Sequence, residues 1–239
     1  MLVTAASAME RPYRVSLIGD AYDGTAWRTG VLIELEEGWK TYWRMPGEAG
    51  IPPEFSWKTS VPAEVDVLFP VPGRYADASG ETVGYQREVV FPVIVTAPAQ
   101  SAVTLDLSLF FAVCKDICIP AQAEASIELG TGVRDPRGVA RVEEFVKAVP
   151  LAGSVISSAS ITQEAGKPVL HLELQDKVED IFVETATTAY FRAPTFSADG
   201  RKASLVIDNV EDPAKLKGAS LKITYTRLGL GLEQNVELP

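Results

Sequence analysis

The chain is poor in several kinds of residue at once. Its 239 residues include two cysteines, one histidine and three methionines. A closed zinc site takes four Cys or His ligands, so none can be assembled from this set. A Cys–His nucleophile would need the lone imidazole, His171, to reach across the chain. Positive charge is also scarce, with 22 Lys and Arg against 32 Asp and Glu, a formal net charge of -10. An acidic surface without a basic cluster repels nucleic acid and anionic lipid. No apolar run approaches the roughly 18 residues of a membrane-spanning helix. There is no glycine-rich phosphate loop: Leu228-Gly229-Leu230-Gly231-Leu232 lacks the Lys and the helix that should follow, and reads as a strand with close backbone approach. Repeats and low-complexity tracts are missing too. The first residues lack the basic and apolar regions of a signal peptide. Ala6-Ser7-Ala8 nevertheless has the small-x-small form of a cleavage site, so residues 1–9 are expected to be a signal stub or a vector-derived addition.

What is present points to a globular β protein of two domains. Hydrophobic residues make up 46% and charged residues 23%, and the length suits two units of ordinary size. Apolar/polar alternation marks strands at Val15–Ile18, Val31–Leu35, Val89–Val95, Val103–Phe111 and Ala123–Leu129. Turn signals punctuate them at Pro52-Pro53, Pro70-Val71-Pro72-Gly73 and Ser79-Gly80. The pattern changes once. Asp135 can cap a helix with Pro136 in its first turn, Val139, Val142, Val146 and Val149 follow at helical spacing, and Pro150 stops it. Strand patterns resume at 169–174, 203–207 and 221–226. The expected architecture is all-β: two immunoglobulin-like β-sandwiches at 10–132 and 151–239, joined by a short helical linker at 133–150. His171 falls in phase with Val169 and Glu173, opposite the leucines of its strand, and is expected to be exposed.

The two cysteines stand three residues apart, in Phe110-Phe111-Ala112-Val113-Cys114-Lys115-Asp116-Ile117-Cys118-Ile119-Pro120. In one continuous strand their Cα atoms would be roughly 13 Å apart, too far for a disulfide, which needs about 4.4–6.8 Å. A tight turn through Lys115-Asp116-Ile117 would set them opposite each other on a hairpin, and Pro120 with the apolar strand before Cys114 favours that turn over a helical one. Closing so short a loop stabilises by only about 2 kcal/mol in the chain-entropy model, against about 4.7 for a 100-residue loop. A bridge that contributes so little to stability is a candidate for redox work. An inert disulfide remains the alternative reading of the spacing.

Three segments together resemble the N-terminal domain of the DsbD family of thiol:disulfide interchange proteins, its ScsB-like branch in particular. They are Gly38-Trp39-Lys40-Thr41-Tyr42-Trp43-Arg44-Met45-Pro46-Gly47 with Ile51-Pro52-Pro53-Glu54-Phe55-Ser56-Trp57, then Gly84-Tyr85-Gln86-Arg87-Glu88-Val89-Val90-Phe91-Pro92-Val93, and the Cys114/Cys118 segment with its trailing Ile119-Pro120. The resemblance covers residues 10–130 and, more loosely, the second sandwich. It implies a periplasmic protein-disulfide reductase domain without cofactor or metal. Such a domain relays electrons from a membrane-embedded domain of the same parent protein to periplasmic thioredoxin-fold proteins, ScsC-like or disulfide isomerases. It touches neither nucleic acid nor membrane.

The resemblance also implies residue roles. Cys118 bonds to partners and Cys114 resolves. A loop at 73–85 covers the dithiol, with Tyr75 or Tyr85 supplying the covering ring. Tyr42 matches a family tyrosine near the site. Of Phe110 and Phe111, one packs inward and the other can pave the partner surface. Asp116, Asp77 and Glu81 are candidate proton relays, and Trp39, Trp43 and Trp57 are expected to pack in the core or at its rim. The cysteine spacing is shorter than that of DsbD itself, which puts partner identity in question. Two other readings stay open: a noncatalytic protein-binding module with a structural disulfide, and a copper-tolerance factor holding Cu(I) on Cys114 and Cys118 with Met9 or Met45. The second sandwich offers no chemical cluster. Its Asp180, Glu184, Asp208, Glu211 and Asp212 could steer a basic partner.

Overall fold

A computed structural model describes residues 11–47, 50–77, 80–97, 102–131, 135–210 and 216–239. Residues 1–9, Glu211 and Asp212 lie outside the described residues. The chain divides into two compact units, Met1–Lys147 and Ala148–Pro239.

The first unit runs β1 (Tyr13–Tyr22), β2 (Trp27–Leu35), β3 (Lys40–Gly47), β4 (Glu54–Thr59), β5 (Glu64–Val67), β6 (Gly73–Asp77), β7 (Gly80–Gln86), β8 (Glu88–Thr96), β9 (Val103–Cys114), β10 (Cys118–Leu129) and α1 (Pro136–Val146). One sheet has the order β1-β2-β8-β5. The other has the order β10-β9-β3-β7-β6, with β4 also paired to β9. The two form an immunoglobulin-like sandwich. Its interior is built from alternate residues: Val31 and Ile33 of β2 and Phe91, Val93 and Val95 of β8 on one side, and Leu105, Leu107, Leu109 and Phe111 of β9 on the other. The intervening Asp106 and Ser108 are exposed, as period-two strands require.

β8 departs from alternation, because Val89 through Val93 are all buried. The reason is α1, which packs on the outer face of that sheet against β1, β2 and β8. Gly30 makes room for it. A Cβ there would stand 2.5 Å from Val90 and 2.8 Å from Val142 of the helix. The helix ends at Val146, just before the boundary between the units, and its packing builds it into the first unit. Asp135 fastens it: one carboxylate oxygen accepts from the Gly138 amide at 2.9 Å as an N-cap, and the other accepts from the Gly19 amide of β1 at 3.1 Å.

The second unit comprises β11 (Leu151–Ala152), β12 (Ile156–Glu164), β13 (Lys167–Leu174), β14 (Asp180–Glu184), β15 (Tyr190–Phe191), β16 (Thr195–Phe196), β17 (Lys202–Asp208), β18 (Ser220–Arg227) and β19 (Leu230–Glu237). Its sheets have the orders β11-β19-β18-β14 and β12-β13-β17-β15, with β16 on β17. Leu170, Leu172 and Leu205 from one sheet meet Ile181, Ile223 and Tyr225 from the other. His171 points away from that core, with Nδ1 3.0 Å from the Ser204 hydroxyl and Nε2 2.9 Å from the Thr162 hydroxyl. Leu228-Gly229, expected within a strand, is instead the two-residue turn between β18 and β19. Arg227 pairs with Leu230, and both turn residues have positive φ, 53° and 74°, the pairing that twisted hairpins favour.

Because Asp135 satisfies two amides on two elements, Asp135→Ala should destabilise the protein by about 1–2 kcal/mol. Urea unfolding should show a lower midpoint with an unchanged slope. An unchanged midpoint would mean that water replaces both bonds at no cost.

Candidate active site

β9 and β10 pair without a shift from Val103↔Leu129 to Cys114↔Cys118. The last pair is closed by the turn Lys115-Asp116-Ile117, in which the Lys115 amide donates to the Ile117 carbonyl at 3.3 Å. The facing cysteines have Cα atoms 4.1 Å apart and are joined as a disulfide. The hairpin expected from the spacing is therefore present.

The two sulfur-bearing residues differ sharply in exposure. β9 lies between β10 and β3, whereas β10 is an edge strand. Cys114 is 1% exposed, while Cys118 belongs to an exposed stretch that runs from Lys115 to Pro120. Apolar side chains flank it: Ile117 is 68% and Ile119 37% exposed. Exposed large apolar groups set close together are a feature of protein-docking surfaces.

Cys114 is buried although it lies on the outer face of its sheet, away from the sandwich interior. Residues alternate, so Cys114 and Ala112 share that face, opposite Phe111 and Val113. Lys40 pairs with Cys114, and Thr41 with Val113, which puts Lys40 and Tyr42 on the same outer face. Tyr42, Ala112 and Cys114 form a small buried cluster, and Ile51 packs against it. Gly50 is required there, since a Cβ would come within 2.4 Å of Pro46 and 2.5 Å of the Tyr42 ring. Gly50 and Ile51, on the approach to β4, thus lie on the tyrosine.

The Tyr42 oxygen is 3.1 Å from Cys118 Sγ. A disulfide sulfur carries no hydrogen, so the phenol donates. The small side chain of Ala112 leaves space for the ring to reach across β9. This contact joins the buried residue of one strand to the sulfur of an exposed residue on another. Lys115 is held nearby through its amine, which donates to the Glu37 carbonyl at 3.2 Å. Asp116 is exposed at the turn.

The other rings expected at the site lie elsewhere. Phe111 is fully buried and meets the Tyr13 ring edge-on at 5.0 Å. Tyr85 pairs with Thr41 and therefore faces inward, where its hydroxyl donates to the Pro70 carbonyl at 2.7 Å and its ring meets Phe91. Both belong to the interior, because each stands one residue out of phase with the cysteine face. Tyr75 is in phase with that face but two strands beyond β3. Its hydroxyl folds over Gly73, which pairs with Gly84, the partner of Tyr42. Burial pushes its phenol pKa up. Residues 78–79 and the Asp77 side chain lie outside the described residues. Glu81 is paired with Arg74. Trp43 is fully buried, and Trp57 stacks on Phe55. Sequence reasoning passed over Lys40, Ala112 and Ile51 as parts of the site. Their signal was available as phase: Lys40 and Tyr42, like Ala112 and Cys114, are two apart.

Residues 14–129 match the family model described as the N-terminal part of the thiol:disulfide interchange protein DsbD. No curated protein matches the chain. Among solved structures, the N-terminal periplasmic domain of ScsB from Proteus mirabilis is similar, with 23% identity and a TM-score of 0.69 over 95% of this chain and 91% of that one. This likeness extends the shared fold across both units.

Tyr42→Phe keeps the ring and removes the donor. With Cys118 as the only thiol, in a Cys114→Ala background, the pH midpoint of Cys118 alkylation should move up by about half a unit to one unit. This is the effect of losing one hydrogen bond of about 0.5–1.5 kcal/mol to the sulfur anion. An unmoved midpoint would show that the hydroxyl does not act on the sulfur.

Proposed function

Residues 14–129 belong to the family of the DsbD N-terminal domain, and on that premise we propose that the first unit is a thiol–disulfide relay working through Cys114 and Cys118. The observation that carries this reading is the unequal exposure of the bridged pair. Cys118 sits at an edge between exposed isoleucines and under a tyrosine hydroxyl, and Cys114 lies directly behind it, closed to solvent.

In the reduced form, the Cys118 thiolate attacks a partner disulfide. A Cys118–partner bond forms, and one partner sulfur leaves with the electron pair and takes a proton. Cys114 then attacks Cys118 Sγ. The Cys114–Cys118 bond re-forms, and the second partner sulfur departs as a thiolate. Two electrons have moved to the partner. Recharging runs the same steps backward. Burial of Cys114 suits a resolving thiol, because the only disulfide within its reach is the one formed on the adjacent Cys118. The apolar surround of Ile117, Ile119 and Pro120 suits a transient protein partner, since apolar contact favours encounter without a large interface.

Within this reading the domain works in the periplasm. A membrane-embedded domain of the same parent protein supplies electrons, and thioredoxin-fold proteins, ScsC-like or isomerases, accept them. No helix among the described residues is long and apolar enough to cross a membrane. The likeness to the ScsB periplasmic domain supports the placement in that branch. Tyr42 is the residue that steadies the leaving or attacking sulfur of Cys118.

Trapping tests the proposal. Cys114→Ala, incubated with an oxidised thioredoxin-fold protein, should accumulate a mixed disulfide through Cys118, while Cys118→Ala should accumulate none. The unaltered protein should show a reversible two-electron couple in a glutathione titration. A bridge that resists reduction, or a Cys114→Ala protein that captures nothing, would return the pair to the role of a structural clasp.

A further inference from the structure

Lys40 is buried beside the dithiol and plays no part in the steps above. Its exposure is 4%, among the lowest of any charged residue described. Lysine is rarely buried to this degree, since removing an ammonium from water is costly. Its position is specific: it is the cross-strand partner of Cys114 on β3, and on its other side it faces Gln86 of β7. Directly opposed residues keep their Cβ atoms about 4.5–5.5 Å apart.

The reaction has a need that this position answers. A resolving cysteine must ionise in order to attack, yet Cys114 is enclosed by Tyr42, Ala112 and Ile51. Such an enclosure disfavours a thiolate. Among the described residues, the charged or titratable groups that face it are few. On β3 they are Lys40 and Tyr42. On the turn they are Lys115, whose amine is held at the Glu37 carbonyl, and Asp116, which is exposed and of the wrong sign. β10 contributes only Cys118, and β7 the neutral Gln86. The Tyr42 hydroxyl is directed at Cys118.

We propose that Lys40 is a positioning residue that holds Cys114 as a thiolate in the opened form and so sets the rate at which the mixed disulfide is resolved. The inference rests on the relay reading above. Lys40 has interactions of its own, and a cation held in place acts on a neighbouring anion through space. Its field assists the step in which the Cys114–Cys118 bond forms and the partner–Cys118 bond breaks, the partner sulfur taking the electron pair and a proton from water.

Two measurements test it. The first uses the Cys118→Ala protein, where Cys114 is the only thiol. Thiolate absorbance is titrated against pH and corrected with a protein lacking both cysteines. Lys40→Met should raise the midpoint by about one unit or more, and Lys40→Arg should keep the parent midpoint. The second uses the intact dithiol: Lys40→Met should lengthen the life of the mixed disulfide by roughly threefold to tenfold at neutral pH, with Lys40→Arg restoring it. If Lys40→Met unfolds the protein, Lys40→Gln takes its place. A midpoint unmoved in a folded Lys40→Met or Lys40→Gln protein overturns the proposal. Failure of the relay reading looks different: the unaltered protein would then exchange with no thioredoxin-fold disulfide, while the Cys114 midpoint would still respond to Lys40.

Discussion

The pairing register of β9 and β10 is the constraint on which the rest of the site depends. Twelve residue pairs run from Val103↔Leu129 to Cys114↔Cys118. A slip of one residue would turn the cysteines to opposite faces. The register is held by apolar alternation, with Leu105, Leu107, Leu109 and Phe111 buried in the sandwich, and not by the bridge. A disulfide across a three-residue turn constrains the unfolded chain by only about 2 kcal/mol. The hairpin therefore holds the sulfurs together whether or not they are bonded. The proposed relay needs this independence, since its dithiol opens and closes without disturbing the scaffold.

Sheet order then gives the two cysteines unequal exposure. An interior strand and an edge strand meet at one turn, so one cysteine is enclosed and the other faces solvent. The enclosure depends on small choices around it. Ala112 lets the Tyr42 ring cross β9, and Gly50 itself lies close against that ring. Larger side chains at either place would displace the tyrosine hydroxyl from Cys118. The site is thus built on the outer face of a sheet whose inner face carries the core, and it can vary while the core stays packed.

Much of this could be read from residue order. The alternation of Val103–Phe111, the spacing of the cysteines and the proline that follows them were enough to expect a bridged hairpin. The cap at Asp135 and the valines behind it were enough to expect a helix. The assignment of rings was not legible in the same way. Tyr42, Tyr75, Tyr85 and Phe111 look alike as aromatics in strands, yet phase sends Tyr85 and Phe111 inward and Tyr42 outward. Lys40 reads as a surface lysine until its strand is set beside β9. The two glycines of Leu228-Gly229-Leu230-Gly231 could not show which of them turns the chain.

Sequence alone determined the β character of both units, the helix between their strand runs, and the turn that brings Cys114 opposite Cys118. These are local properties, set by period-two patterning, capping and a loop too short to do otherwise. Tertiary structure decided which cysteine is exposed, which tyrosine reaches it and that a lysine is enclosed beside its partner. Those outcomes depend on which strands become neighbours and which face is covered, and contacts between residues some seventy positions apart are fixed only when the sheets assemble.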